Sequence, residues 1–149
     1  MTESDSSSIG AWAHRDGLID LGGPAPVPHG DPATSRSLAV ETAYRYAWAY
    51  DENRLDVLED LFVPHASLRY RVRGSGDVSA EGNEAIVRLL RESLAGGVQT
   101  RHLLSNALVE QLDEQRALVL AYFALFLVDD QVVPVSTGFY RFALEIHGG

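Results

Sequence analysis

Apolar side chains at Val40, Ala43, Tyr44, Ala47 and Tyr50 recur at helical spacing, and Asp31-Pro32 supplies an N-cap followed by proline at the first helical position. A helix is therefore predicted from about residue 32 to Tyr50, ending at the acidic break Asp51-Glu52-Asn53. Leu55, Leu58, Leu61 and Phe62 form a second short apolar stripe that Pro64 terminates. From Ser67 to Arg73 the pattern changes to strict alternation. Leu68, Tyr70 and Val72 share one face and three arginines share the other, as in a strand with one wet side. Gly74 to Gly82 reads as a loop. Asn83 to Ala95 is the clearest helix, with Ile86, Leu89, Leu90 and Leu94 on one face and Gly96-Gly97 closing it. Long strands follow at about 99–110, 115–127 and 131–145, joined by short acidic turns, which predicts an antiparallel meander. Helices, a strand, a helix and then sheet make an α+β domain.

Ahead of this domain, residues 1–8 are polar and Ser-rich and are expected to be disordered. Ile9 to Leu21 carries Trp12, Leu18, Ile19 and Leu21 without a clear period. It is expected to be an arm packed on the domain or on a second subunit, with a lid as the other reading. Four prolines and three glycines between Gly22 and Pro32 mark a linker. The division is thus a tail and arm over 1–30 and one domain over 31–149. A net charge of −9 repels phosphate backbones and anionic membrane surfaces, so neither nucleic acid nor membrane is expected as a partner. The absence of cysteine removes disulfides, thiolate metal sites and a thiol nucleophile. With no basic leader and no bilayer-length apolar run, the expected location is the cytoplasm.

Few residues carry chemistry. Tyr46 and Tyr50 lie one helical turn apart, Asp51 follows where the helix ends, and Tyr70 sits on the next strand. His102 shares a sheet face with Leu104, Asn106 and Leu108. It is either a satisfied core histidine or, if the end of the first helix crosses that face, an acid–base group whose tautomer Asp51 sets. Asp51 could equally cap the second helix, and the tyrosines could be core aromatics with wet hydroxyls. The five histidines lack paired ligand spacing, so no metal site is expected. Gly74-Ser75-Gly76 has neither the frame of a nucleophile elbow nor that of a phosphate loop.

The strings YAWAYDENRLDVLEDLFVPHASLRYRV, GNEAIVRLL and TRHLLSNALVE resemble the SnoaL-like branch of the nuclear transport factor 2-like superfamily, over about residues 36–147. The resemblance implies a cone, in which a curved antiparallel sheet wrapped by about three helices encloses an apolar pocket. Within the superfamily the active-site pattern is most similar to that of scytalone dehydratase, through Tyr50-Asp51, Tyr70, and His102 in Thr100-Arg101-His102. By that resemblance Asp51 orients His102, His102 moves the proton, and Tyr50 and Tyr70 polarise a carbonyl. Two positions depart from the pattern. The strand over 117–127 has no imidazole, and Thr137 stands where the pattern has an asparagine nearby. In this family a final strand usually follows the position of His147, so one sheet edge is expected to be open, or closed by the arm or a partner.

These readings converge on a cofactor-free lyase or isomerase of the dehydratase or cyclase type. Its substrate would be an apolar small molecule, a hydroxylated cyclic ketone of polyketide- or steroid-like form. Tyr46, Trp48, Leu104, Asn106, Phe123, Thr137 and Phe139 are the expected pocket lining. The rival is a non-catalytic ligand-binding or structural subunit of the same fold, and a homodimer formed through the sheet is expected under either reading.

Overall fold

In a computed structural model of the protein, residues 32–72, 76–97 and 99–146 are described. The expected tail, arm and linker, together with Arg73 and His147, lie outside them. Helix α1 (Pro32–Asp51) leads into α2 (Leu55–Leu61), strands β1 (Ser67–Val72) and β2 (Gly76–Glu81), helix α3 (Asn83–Leu94), and strands β3 (Gln99–Leu112), β4 (Arg116–Val128) and β5 (Val132–Glu145). The architecture is α+β, with three helices and antiparallel sheets. β1 pairs with β2, and β3, β4 and β5 form a meander with β4 in the centre.

One expected loop is a strand. Gly76–Glu81 pairs residue for residue with Ser67–Val72, and Arg69 and Arg71 on the wet face meet Glu81 and Asp77 across the ladder. The polar, glycine-containing sequence of β2 concealed this, because an outward face built from charge pairs lacks the apolar alternation that betrays a strand.

α1 serves two cores, which explains its many alanines. Ala39 and Ala43 pack on Val109, Ala117 and Val119 of the three-stranded sheet. Further along, Ala49 joins Val57 and Leu58 of α2, Ile86 and Leu90 of α3, and Leu68 of β1. Small side chains let the helix approach both layers closely. Asn53, at φ +53°, ends it: Asn53 N–H bonds the Tyr50 carbonyl and Arg54 N–H bonds that of Ala49, a Schellman closure. That turn leaves Asp51 as the last helical side chain and Glu52 as the C-cap, both buried.

β3 does not alternate cleanly. Thr100 and His102 face α1, but the register slips between Ser105 and Leu108 and again between Val109 and Gln111. Asn106 occupies the left-handed region at φ +53°, which asparagine tolerates better than most residues. The extra residue inverts the alternation. Val109 therefore faces the core, while Asn106 and Leu108, expected beside His102, face solvent.

Candidate active site

The final turn of α1 abuts the first residues of β3, an edge strand whose outward backbone groups β4 does not reach. Asp51 meets this edge with both carboxylate oxygens. Oδ1 accepts from the Thr100 hydroxyl at 2.8 Å and lies 2.7 Å from His102 Nδ1, and Oδ2 accepts from the His102 backbone N–H at 2.6 Å. Gln99 Nε2 donates to the Asp51 carbonyl at 2.5 Å, so the helix end is held through its backbone as well. The Asp51 and His102 side chains are only 7% and 4% exposed.

This arrangement decides what Asp51 does. The second helix has no side-chain cap, because its N-cap position is Arg54, and the Asp51 carboxylate is spent entirely on β3. A carboxylate at a helix C-terminus is disfavoured by the helix dipole, and three donors offset that cost. An ionised Asp51 requires a proton on His102 Nδ1, which leaves Nε2 as the free acid–base nitrogen.

The consecutive acid takes the opposite side of the strand. Glu52 lies 3.7 Å from Arg101 Nη1, its Oε1 is buried without a hydrogen bond, and burial pushes its carboxyl above the usual range, an effect that Arg101 opposes. Arg101 Nη1 donates to the Thr100 carbonyl.

Phenols surround the imidazole. The Tyr50 ring meets His102 edge-on at 5.2 Å, and the Tyr140 ring lies 6.1 Å away on the β5 side. Phe123 stacks on Tyr140 at 4.3 Å, and Tyr46 packs edge-on against both Tyr140 and Phe62. Burial pushes the Tyr46 phenol well above its ordinary range, with Tyr140, Tyr50 and Tyr70 adding to the effect. Tyr140 is raised by burial first, and then by Tyr50, Asp51 and Tyr70. Tyr50 is raised by burial and partly relieved by a hydrogen bond with Ser93. These three phenols hold their protons at neutral pH and can act as neutral hydrogen-bond donors. Tyr70, 37% exposed, is the phenol of the group open to solvent.

The structure therefore gathers Asp51, His102, Tyr50, Tyr46 and Tyr70, with Leu104 and Phe123 on the same side of the sheet. It does not gather four of the residues expected to line the pocket. Trp48 stands on the face of α1 opposite Tyr46 and Tyr50, half exposed. Asn106 is turned out by the bulge. Thr137 and Phe139 occupy the outer parity of β5, where the Thr137 hydroxyl bonds the Phe123 carbonyl. Missed were Tyr140, Thr100 and Gln99. Tyr140 was legible in principle: Arg141 and Glu145 mark the wet parity of β5, which turns Tyr140, Phe142 and Leu144 inward. A shallow depression lined by Arg36, Val40 and Tyr44 lies on the outside of α1, away from the imidazole.

An α+β frame of three helices with antiparallel sheets is that of the nuclear transport factor 2-like proteins. The chain belongs to the SnoaL-like domain family, whose model matches residues 31–149. No curated protein matches it. Among solved structures, one named as an aromatic ring hydroxylase from Novosphingobium aromaticivorans shares 23% identity, with 78% of this chain and 81% of that chain covered and a TM-score of 0.64. The beta subunit of an aromatic-ring-hydroxylating dioxygenase from the same organism shares 15%, covering 78% and 82%, with a TM-score of 0.67. A structure named as a scytalone dehydratase, also from N. aromaticivorans, shares 19%, covering 72% and 68%, with a TM-score of 0.51. At these identities the likeness concerns the fold. Among the described residues no helix is long and apolar enough to cross a membrane.

Proposed function

We propose that the protein is an acid–base lyase or isomerase acting without a cofactor on a hydroxylated cyclic ketone of polyketide- or steroid-like form. The observation that carries the reading is the Asp51–His102 pair. Its 2.7 Å contact, with the second carboxylate oxygen on the His102 backbone N–H, sets one tautomer and one ring orientation before any substrate arrives. His102 Nε2 removes the proton alpha to the carbonyl. Tyr50 and Tyr140 are the nearest phenols, and Tyr70 is the one open to solvent. A hydrogen bond from one of them to the carbonyl oxygen stabilises the enolate. The imidazolium then returns that proton to the departing hydroxyl at the beta carbon. The C–O bond breaks, and the products are an enone and water. In an isomerisation the same proton goes back to a different carbon. With His102 this buried, a substrate must displace a neighbouring ring to reach it.

The test is a panel of cyclic beta-hydroxy ketones, followed by enone absorbance. Wild-type protein is expected to turn over at least one of them. His102→Ala is expected to abolish turnover while leaving the far-ultraviolet circular dichroism unchanged. Full activity in that variant removes the assignment.

A second reading, a dimerising or assembly subunit, is favoured by the outer face of the three-stranded sheet. There Leu103 (59% exposed), Tyr122 (59%) and Phe139 (69%) present contiguous apolar surface. A second copy packed on this face would give a homodimer, compatible with either function. Phe139→Glu is expected to shift a dimer to monomer in analytical ultracentrifugation. A wild-type monomer at micromolar concentration would exclude that use of the face.

A further inference from the structure

Resting on the reading of Asp51–His102 as the acid–base pair, we infer that Thr100 is a positioning residue that sets the basicity of His102 through their shared carboxylate oxygen. Thr100 Oγ1 and His102 Nδ1 both converge on Asp51 Oδ1, at 2.8 and 2.7 Å, whereas Oδ2 serves the His102 backbone N–H alone. Thr100 is buried, so water does not replace its hydroxyl, and the bond spans 49 positions in the chain. A donor on a carboxylate oxygen draws off negative charge that would otherwise favour the imidazolium. The hydroxyl thus weakens the hold of Asp51 on the imidazolium proton and keeps Nε2 free to accept and release one.

The groups packed around the imidazole leave this control with Asp51. From α1, Tyr50 and Tyr46 are held protonated by burial, as is Tyr140 from β5. Tyr70 of β1 neighbours those phenols and is exposed to solvent. Glu52 and Arg101 pair with each other across the strand, on the face opposite the ring. Asp51 is the carboxylate in hydrogen-bond contact with His102 among the described residues, so changes in its hydrogen bonding reach His102 directly. Gln99 holds the same helix end through the Asp51 carbonyl and leaves the carboxylate charge untouched.

The experiment is a pH titration of the His102 ring by nitrogen-edited NMR on the full chain, which requires no substrate. Thr100→Val keeps the shape and removes the donor. It is expected to tighten the hold of Asp51 on the ring proton, so that the ring protonates at higher pH than in wild type and the Nδ1–H resonance moves downfield. Thr100→Ser, which restores the hydroxyl, is expected to return both to wild-type values. If the valine variant does not fold, Thr100→Ala is measured instead. An unchanged titration and resonance, even with a lowered melting temperature, would mean that Thr100 is only structural and would overturn the inference. Turnover by His102→Ala would remove the acid–base reading without touching this result, so the two failures are distinguishable.

Discussion

Replacing Asp51 by asparagine changes one atom and one charge, and the hydrogen bonds around it dictate the consequence. The side-chain amide keeps one accepting oxygen and presents an NH2 in place of the other. Of the three groups now facing the carboxylate, the His102 backbone N–H has no alternative role, so the amide oxygen must serve it. The NH2 is then turned toward Thr100 Oγ1 and His102 Nδ1. The hydroxyl can rotate to accept, and the imidazole can accept only by moving its proton from Nδ1 to Nε2. The tautomer inverts, and the nitrogen meant to act as base carries a proton. Three charge-assisted bonds become neutral ones, each weaker by about 1 kcal/mol, so unfolding stability is expected to fall by about 2–3 kcal/mol. Loss of the base nitrogen is expected to reduce turnover on a responsive substrate by about 10²–10⁴-fold. Urea denaturation measures the first effect, and nitrogen chemical shifts of the ring report the tautomer. A stability loss below about 0.5 kcal/mol with the Nδ1–H form retained would refute the reasoning, because it would mean that the carboxylate carries no charge-dependent load.

Two further outcomes follow from neighbouring residues. Burial raises the Glu52 carboxyl, so the folded chain binds a proton there more tightly than the unfolded chain, and stability at this position falls as pH rises from the ordinary glutamate range through the raised value. Glu52→Gln is expected to be more stable than wild type at neutral pH, with the gap closing as the pH is lowered to 4; a gap that does not vary with pH in thermal melts would rule out Glu52 as the source. A Cβ at Gly138 would stand 2.9 Å from the Phe123 ring, so Gly138→Ala is expected to cost about 1–3 kcal/mol and to disturb the Phe123–Tyr140 stack. Unchanged near-ultraviolet dichroism and stability would show that the ring has room to give.

Local pattern determined a good deal of this protein. Helical spacing marked the three helices, and short acidic turns marked the meander. The break at Asp51-Glu52-Asn53 was visible because an acidic, asparagine-containing tripeptide favours a left-handed helix exit, and the Tyr50-Asp51 position and His102 were visible from their neighbours. Only the tertiary structure decided the rest. Whether Asp51 capped the next helix or oriented a histidine depended on a contact between residues 51 positions apart, which no local preference encodes. Thr100 and Gln99 became legible only once the helix end lay against the strand edge. Trp48 was misplaced because α1 is buried on two sides, so its solvent face could not be told from its apolar ones by composition. Asn106 was misplaced because face parity survives only while a ladder keeps its register, and one bulge at Asn106 was enough to displace it. Thr137 and Phe139 were misplaced although they share the wet parity of Arg141 and Glu145 in an unbroken stretch of ladder, a signal the chain itself carried. Period and turn chemistry act over a few residues and are written in the chain, whereas parity across a bulge and partners across a sheet exist only after the chain has folded.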